Sequence, residues 1–429
     1  MDVQVTPVHG LQGQIRVPGD KSIAHRALML NGIAYGTARI WDVPEGRDVQ
    51  STIRCLRHLG VHIEVKGRTV VIEGRGPSGW RSPTHPLDCG NSGTTMRLLA
   101  GLLAGQPLHV TLTGDASLCR RPMRRIIEPL TRMGADITST DGEHPPLTIR
   151  GRPLHGIHYT LPIASAQVKS CILFAGLFAD GVTVVHEPIP SRDHSERMLQ
   201  CMGARINWEA TRIVIQQSPR LTAWTGRIPG DISSAAYWIA AATLVPGSVL
   251  RIDHVGWNPT RTGFVEILQQ MGGDIELLHL TEMNGEPCAN ILVRSASLRG
   301  IRIEGTWVPR TIDELPLLAV IATQAEGTTI IRDASELRVK ESDRIRSTVT
   351  NLRRLGARVE ELPDGMVIEG PTPLRGGVVD AYGDHRIAMS FAIAGLIADA
   401  PVIIQGAEWA EVSYPGFFDT LRVLAHATP

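Results

Sequence analysis

One short pattern recurs five times and limits the architectures open to this chain of 429 residues. Leu56-Arg57-His58-Leu59-Gly60, Leu130-Thr131-Arg132-Met133-Gly134, Leu199-Gln200-Cys201-Met202-Gly203, Leu268-Gln269-Gln270-Met271-Gly272 and Leu352-Arg353-Arg354-Leu355-Gly356 share the form Leu-x-x-Leu/Met-Gly, with glycines 69 to 84 residues apart. A glycine there suits the left-handed residue just past a helix end, and the alternating residues that follow, as in Ala357-Arg358-Val359, suit a strand. A second series consists of polar clusters that open apolar helices: Lys21-Ser22, Asn91-Ser92-Gly93, Ser165-Ala166-Gln167, Asp231-Ile232-Ser233, Ile312-Asp313-Glu314 and Asp384-His385-Arg386. The segments behind them, such as Val168 to Ala179, Ala235 to Val245 and Ile387 to Ala398, are apolar nearly all round and predict buried helices. Six units of about seventy residues, each with one buried helix, one amphipathic helix and several short strands, describe an α/β repeat protein rather than one doubly wound sheet.

Three units per domain follow from this count. The turn-rich stretch Trp224-Thr225-Gly226-Arg227-Ile228-Pro229-Gly230 separates the third unit from the fourth. The expected division is residues 20–228 as one domain, and 1–19 plus 229–429 as the other, the N-terminal strand completing the latter's third unit. Two chain crossings would then act as a double hinge suited to closure around a ligand.

Composition narrows the functional classes. Lys+Arg and Asp+Glu are equal at 43 each, so no global field recruits nucleic acid or an acidic membrane, and anion sites have to be local. An aromatic content of 4% argues against a base-stacking surface. The six cysteines form no C-x-x-C pair and lie mostly among apolar residues, which reads as reduced thiols in a reducing compartment. The N-terminus shows neither a basic n-region nor an apolar h-region, and Asp399-Ala400-Pro401 breaks the apolar run from Ile387 to Ile404. The expectation is a soluble cytoplasmic protein. Gly74-Arg75-Gly76-Pro77-Ser78-Gly79 matches a dinucleotide fingerprint, but Pro77 and the prolines after it cannot begin the required helix, so it is read as a turn.

The chemistry lies at the helix mouths. Pro18-Gly19-Asp20-Lys21-Ser22 leads into an apolar helix whose exposed backbone N–H groups and dipole favour an anion, and Lys21 and Arg26 would otherwise lie near a core unpaired. Gly90-Asn91-Ser92-Gly93-Thr94-Thr95-Met96-Arg97 is a second such turn, with small residues that admit a phosphate. Arg120-Arg121-Pro122-Met123-Arg124-Arg125 fits a solvated basic face, a nucleic-acid patch or a small-anion site equally well. In Val339-Lys340-Glu341-Ser342-Asp343-Arg344, Ser342 is the expected N-cap, which puts acid, base and anion clamp at one mouth. Asp313 is either a helix cap or a carboxylate placed to accept a hydroxyl proton. The Asp-His pairs in Ser191-Arg192-Asp193-His194 and Gly383-Asp384-His385-Arg386 lack zinc spacing and read as carboxylates that orient a histidine or an arginine.

Taken together these stretches resemble the 5-enolpyruvylshikimate-3-phosphate synthases of the enolpyruvyl transferase family. The resemblance covers essentially the whole chain in order: PGDKSIAHRA at 18–27, GNSGTTMRLL at 90–99, RRPM at 120–123, SAQVKS at 165–170, SRDH at 191–194, GDISSAAY at 230–237, IDELP at 312–316, RVKESDRI at 338–345 and GDHRIAMS at 383–390. It implies two domains of three βαβαββ units each, an inside-out α/β barrel joined by two crossovers and closing on shikimate-3-phosphate. The implied reaction transfers the enolpyruvyl group of phosphoenolpyruvate to the 5-hydroxyl of that substrate and releases phosphate, without metal or organic cofactor, in a monomer. Carried onto this chain, Ser165 and Arg192 would hold the shikimate phosphate, with Ser22, Arg26, Gln167, Asp313 and Lys340 around its ring and carboxylate. Lys21, Arg121, Arg344 and Arg386 would grip phosphoenolpyruvate, with Gln167 and the backbone near Gly93. Glu341 would exchange a proton with the enol methylene, while Asp313 and Lys21 share the base roles.

Departures from the family pattern are local. Some members carry a lysine just before the Ser/Thr-aromatic-Pro stretch, where this chain has Val412-Ser413-Tyr414-Pro415, so that anion contact is expected to be lost or supplied elsewhere. Leu98, where many members have proline, and Ala166, in place of a second serine, resemble the second class of these enzymes, often less sensitive to glyphosate. The sister family that uses UDP-N-acetylglucosamine usually has a cysteine at the position of Ala116 and Lys-Asn instead of Lys21-Ser22. A non-catalytic RNA- or anion-binding repeat protein would use the arginines without needing Glu341 or Asp313, and the neutral net charge weighs against it.

Overall fold

Each Leu-x-x-Leu/Met-Gly stretch closes an amphipathic helix in the same way. In the computed structural model, which describes residues 1–218 and 220–426, Gly60, Gly134, Gly203, Gly272 and Gly356 all have φ between +83° and +107°. The residue after each glycine donates its N–H back to the leucine that opens the motif: Val61 to Leu56 (3.0 Å), Ala135 to Leu130 (2.9 Å), Ala204 to Leu199 (2.9 Å), Gly273 to Leu268 (2.8 Å) and Ala357 to Leu352 (2.9 Å). This is the six-to-one Schellman bond, which satisfies a helix-end carbonyl while turning the chain into the next strand. The pattern therefore specifies a turn, and its recurrence specifies a repeated fold.

The other helix of each unit is buried. Lys21–Ile33, Gly93–Ala104, Ala166–Gly176, Ile232–Leu244, Leu315–Ala322 and His385–Ile397 lie among residues with almost no exposed surface. Five of these mouths are closed by a side chain that accepts a backbone N–H: Asp20 from Ile23, Ser92 from Thr95, Ser165 from Val168, Asp231 from Ser233 and Asp384 from Arg386. A cap of this kind stabilises by about 1 kcal/mol. The Leu315 helix is the exception, because Glu314 at its N-cap makes no side-chain cap bond. Gly101 lets two buried helices touch, since a Cβ there would lie 2.2 Å from the carbonyl oxygen of Cys171.

Among the described residues the strands form six small sheets. The first runs in the spatial order Gly226–Arg227, Tyr35–Trp41, Thr69–Arg75, His62–Lys66, and the second Leu87–Asp88, His109–Thr113, Leu147–Arg150, Asp136–Ser139. The third is His158–Thr160, Val182–His186, Arg212–Gln216, Ile206–Glu209, and the fourth Gln12–Arg16, Val249–Gly256, Glu286–Arg294, Asp274–Met283. The fifth is Arg302–Ile303, Gly327–Ile331, Gly365–Gly370, Arg358–Leu362, and the sixth Gly377–Asp380, Val402–Gln405, Asp2–Val5. In every sheet the first two strands named pair in parallel, and the antiparallel pairs follow. This is a two-domain α/β fold.

Two compact units result. One comprises residues 19–228 with 283–286, and the other residues 1–18, 229–282 and 287 onward. Each has its own continuous apolar core. The chain start belongs to the second unit, where Asp2–Val5 pairs antiparallel with Val402–Gln405 and Gln12–Arg16 pairs in parallel with Val249–Asp253. In that unit Trp238 donates its indole N–H to the Tyr414 hydroxyl at 3.0 Å, and Phe417 stacks on Trp238 with ring centroids 5.0 Å apart. The Val412-Ser413-Tyr414-Pro415 stretch is thus core, with Tyr414 3% exposed. Among the described residues no helix is long and apolar enough to cross a membrane.

Candidate active site

In the first unit the Lys21 helix projects three of the expected site residues from its opening turns. Lys21 Nζ meets Asp48 Oδ2 at 2.9 Å, and Asp48 opens the next helix, Arg47–His58. One turn on, Arg26 is fully buried and donates from Nε to Ser195 Oγ (2.7 Å), from Nη2 to Ser170 Oγ (2.8 Å) and from Nη1 to the carbonyl of Ser22 (2.8 Å). Loss of solvent, reinforced by Arg192 and opposed by Glu196, Asp20 and Glu286, lowers the Arg26 guanidinium to about 10, so it stays charged at neutral pH. Three of its five N–H groups are used in these bonds. Beside it, burial keeps His25 neutral, with Lys21 and Arg26 pushing the same way. His25 Nδ1, Thr52, Thr95 and Ser92 form a hydroxyl chain of 2.7, 2.7 and 2.8 Å steps that ties the Lys21 mouth to the Gly93 mouth.

Gly93 and Gln167 lie beside two arginines, Arg97 and Arg121. A Cβ on Gly93 would lie 2.8 Å from Arg97 Nη1 and 3.5 Å from Arg121 Nη1. Arg97 donates to Gln167 Oε1 at 2.6 Å, and Gln167 Nε2 donates to Thr94 Oγ1 at 3.0 Å. Arg121 is clamped by the Asn91 side-chain oxygen (2.6 Å) and the Asn91 carbonyl (3.2 Å). Ser165 caps the helix that carries Gln167, and Arg192 lies half-buried just before the helix His194–Cys201.

The second unit gathers the acids around one arginine. Arg344, 1% exposed, reaches Asp384 Oδ2 at 2.8 Å, Glu341 Oε2 at 2.7 Å and Asp313 Oδ1 at 3.2 Å. Burial works against its charge, but Asp384, Glu341 and Asp313 outweigh that and raise its pKa. Loss of solvent moves the half-buried Lys340 ammonium the other way, below its ordinary value, with Asp313, Glu336 and Glu341 opposing. Arg386 is buried at the next mouth, and Tyr237, Asp313, Glu314 and Asp231 overcome its desolvation to hold it charged. The Tyr237 hydroxyl bonds Arg386, and burial pushes that phenol up to about 12. Glu314 accepts from Ser233, which accepts from Arg261 Nη2 at 2.6 Å.

Several expectations are corrected. The N-cap of the Arg344 helix is Asp343, whose carboxylate accepts the Arg346 N–H at 3.0 Å, while Ser342 donates to Asp384 at 3.1 Å. Asp313 is not the N-cap of the Leu315 helix, since Glu314 holds that position, and its carboxylate meets Arg344 at 3.2 Å. The carboxylate beside His194 is Glu286 at 2.7 Å rather than Asp193, which pairs with Arg197 at 2.9 Å. The carboxylate-to-arginine reading holds at both pairs, Asp193 with Arg197 and Asp384 with Arg344. Asp48, Arg97 and Tyr237 also meet expected site residues, although the sequence assigns them no role of their own. Arg97 lies four residues past Gly93, one helical turn, a spacing that puts both on the same face of the helix.

A model of the EPSP synthase family (3-phosphoshikimate 1-carboxyvinyltransferase) matches residues 5–421. The chain belongs to this family. A 3-phosphoshikimate 1-carboxyvinyltransferase of Brevibacillus brevis is 50% identical over 98% of this chain and 99% of its own length, and one of Halorhodospira halophila is 53% identical over 98% and 95%. The solved EPSP synthase of Acinetobacter baumannii superposes with a TM-score of 0.88 at 42% identity, covering 99% of this chain and 98% of that one. The enolpyruvyl transferase NikO of Streptomyces tendae, 19% identical with a TM-score of 0.78, shares the fold. EPSP synthase relatives thus span this chain end to end, and the mouths described above fall inside the matched region.

Proposed function

We infer that this chain transfers the enolpyruvyl group of phosphoenolpyruvate to the 5-hydroxyl of shikimate-3-phosphate and releases phosphate, a step of the shikimate pathway. The observation that carries the reading is the near-complete, roughly half-identical match to relatives named for this activity. Each unit supplies buried or half-buried cations, Lys21, Arg26, Arg121 and Arg192 in one and Lys340, Arg344 and Arg386 in the other, of the kind needed to offset the repulsion between two substrates that each bear a phosphate and a carboxylate.

Ser165 and Arg192 take the shikimate phosphate, and Ser22, Arg26, Gln167, Asp313 and Lys340 the ring and carboxylate. Lys21, Arg121, Arg344, Arg386 and Gln167 hold phosphoenolpyruvate, with backbone near Gly93. Glu341 delivers a proton to the enol methylene as the 5-hydroxyl oxygen attacks the adjacent carbon, and Asp313, with Lys21, takes the hydroxyl proton. The tetrahedral adduct then loses phosphate as a methyl proton returns to Glu341. Arg344, bonded to both Asp313 and Glu341, fixes the spacing of the two acids. No step requires a metal or an organic cofactor. The protein works as a monomer in the cytoplasm, a reducing setting in keeping with six cysteines that form no C-x-x-C pair.

Phosphate release tests the reading. Phosphoenolpyruvate with shikimate-3-phosphate should give stoichiometric phosphate, and phosphoenolpyruvate with UDP-N-acetylglucosamine should give none. Release with the sugar nucleotide alone would sink it.

A further inference from the structure

Behind the residues assigned to the shikimate phosphate lies an ionic cluster that the proposed chemistry leaves unused. Lys169, 1% exposed, meets Glu187 Oε1 at 2.9 Å and Glu196 Oε1 at 2.7 Å, and both carboxylates are buried as deeply. The same ammonium donates to the Ser191 carbonyl at 3.3 Å, and the Ser191 hydroxyl donates to Glu187 Oε2 at 2.6 Å. A buried ion pair seldom repays its own desolvation, so its stability contribution alone is a weak reason for it to be there. Its neighbours supply a better one. Lys169 stands one helical turn past Ser165 and donates its backbone N–H to the Ser165 carbonyl at 3.0 Å. Ser191 precedes Arg192 directly. Ser170 and Ser195, adjacent in sequence to Lys169 and Glu196, bond each other at 2.7 Å and both accept from Arg26.

We propose that Lys169 and Glu187 are positioning residues that lock the Ser191-Arg192 loop onto the helix led by Ser165, so that hydroxyl and guanidinium present one fixed span to the phosphate of shikimate-3-phosphate. The proposal rests on the functional reading above. A long arginine on a free loop would sample many placements and lose affinity on being ordered, whereas a clamp in a low-dielectric interior orders it beforehand.

The experiment uses the full chain and two substitutions outside the assigned machinery: Lys169→Met, which removes the charge, and Ser191→Ala, which removes only the hydroxyl that joins loop to Glu187. Dissociation constants are measured for shikimate-3-phosphate and for shikimate, which lacks the phosphate, alongside kcat and the KM for phosphoenolpyruvate. Ser191→Ala should lower the preference for the phosphorylated ligand by about tenfold, and Lys169→Met by more, with shikimate binding and the phosphoenolpyruvate KM within about twofold of the parent. Lys169→Arg should restore part of the loss. If both ligands weaken together and the preference is unchanged, the cluster is merely structural and the proposal fails. Should Lys169→Met not fold, an unchanged preference in Ser191→Ala is sufficient to overturn it. A parent protein that binds shikimate-3-phosphate yet releases no phosphate would refute the functional reading instead.

Discussion

Arg344 and Arg386 show how burial and charge are balanced in the second unit. Each is stripped of water and each stays cationic, Arg344 through Asp384, Glu341 and Asp313, and Arg386 through Tyr237 with Asp313, Glu314 and Asp231. Glu341 contacts Arg344 at 2.7 Å, close enough for the guanidinium to hold it in one orientation. Glu341→Gln keeps that contact's shape but cannot exchange the proton, so kcat should fall by about 10² to 10⁴ with the thermal midpoint unchanged. Near-parental turnover would remove Glu341 from the proton path. Tyr237 makes a separate, pH-dependent prediction. Its phenol is raised by burial to about 12, so between its ordinary value of 10.0 and that point only the unfolded chain ionises there. The stability this residue contributes is therefore intact below the lower value and is lost as pH climbs through the window. Comparing the unfolding free energy of the parent with that of Tyr237→Phe across pH 9 to 12 should show the parent losing its advantage; parallel curves would contradict this.

The elements place these side chains through a few unforgiving contacts. Gly101 sits inside the helix Gly93–Ala104, where alanine would ordinarily add about 1 kcal/mol of helix propensity. Its missing Cβ is what admits the Cys171 carbonyl, so Gly101→Ala should instead destabilise by about 3 kcal/mol, read as a lower unfolding midpoint. A gain in stability would mean the two helices can part cheaply. Since these helices carry Gly93 at one mouth and Gln167 at the other, the same variant should raise the KM for phosphoenolpyruvate. The Schellman turns that close the amphipathic helices were legible in sequence because their bonds span no more than five residues, whereas the caps expected at Ser342 and Asp313 were misplaced. The cap at Asp343 was misplaced onto its neighbour Ser342, since both residue types cap well and only the loop's path decides which carboxylate or hydroxyl faces the helix.

Across the whole molecule, each unit is completed by chain from far away in sequence. The strands Asp2–Val5 and Gln12–Arg16 pair more than two hundred residues downstream, and Gly226–Arg227 returns to pair with Ile40 and Trp41. Removing residues 1–17 should therefore speed hydrogen exchange in 249–256 and 402–405 while leaving the Lys21 and Gly93 helices protected. Equal acceleration everywhere would mean that the two units unfold as one. Periodicity, polar helix starts and helix-end glycines were enough to point to repeated α/β units, because those signals depend on neighbours along the chain. Which side chains meet was decided by tertiary structure alone. Lys21 with Asp48, Arg97 with Gln167, Arg344 with Asp384 and Lys169 with Glu187 are 18 to 70 residues apart, joined by the packing of helices whose apolar faces carry no label of their partner.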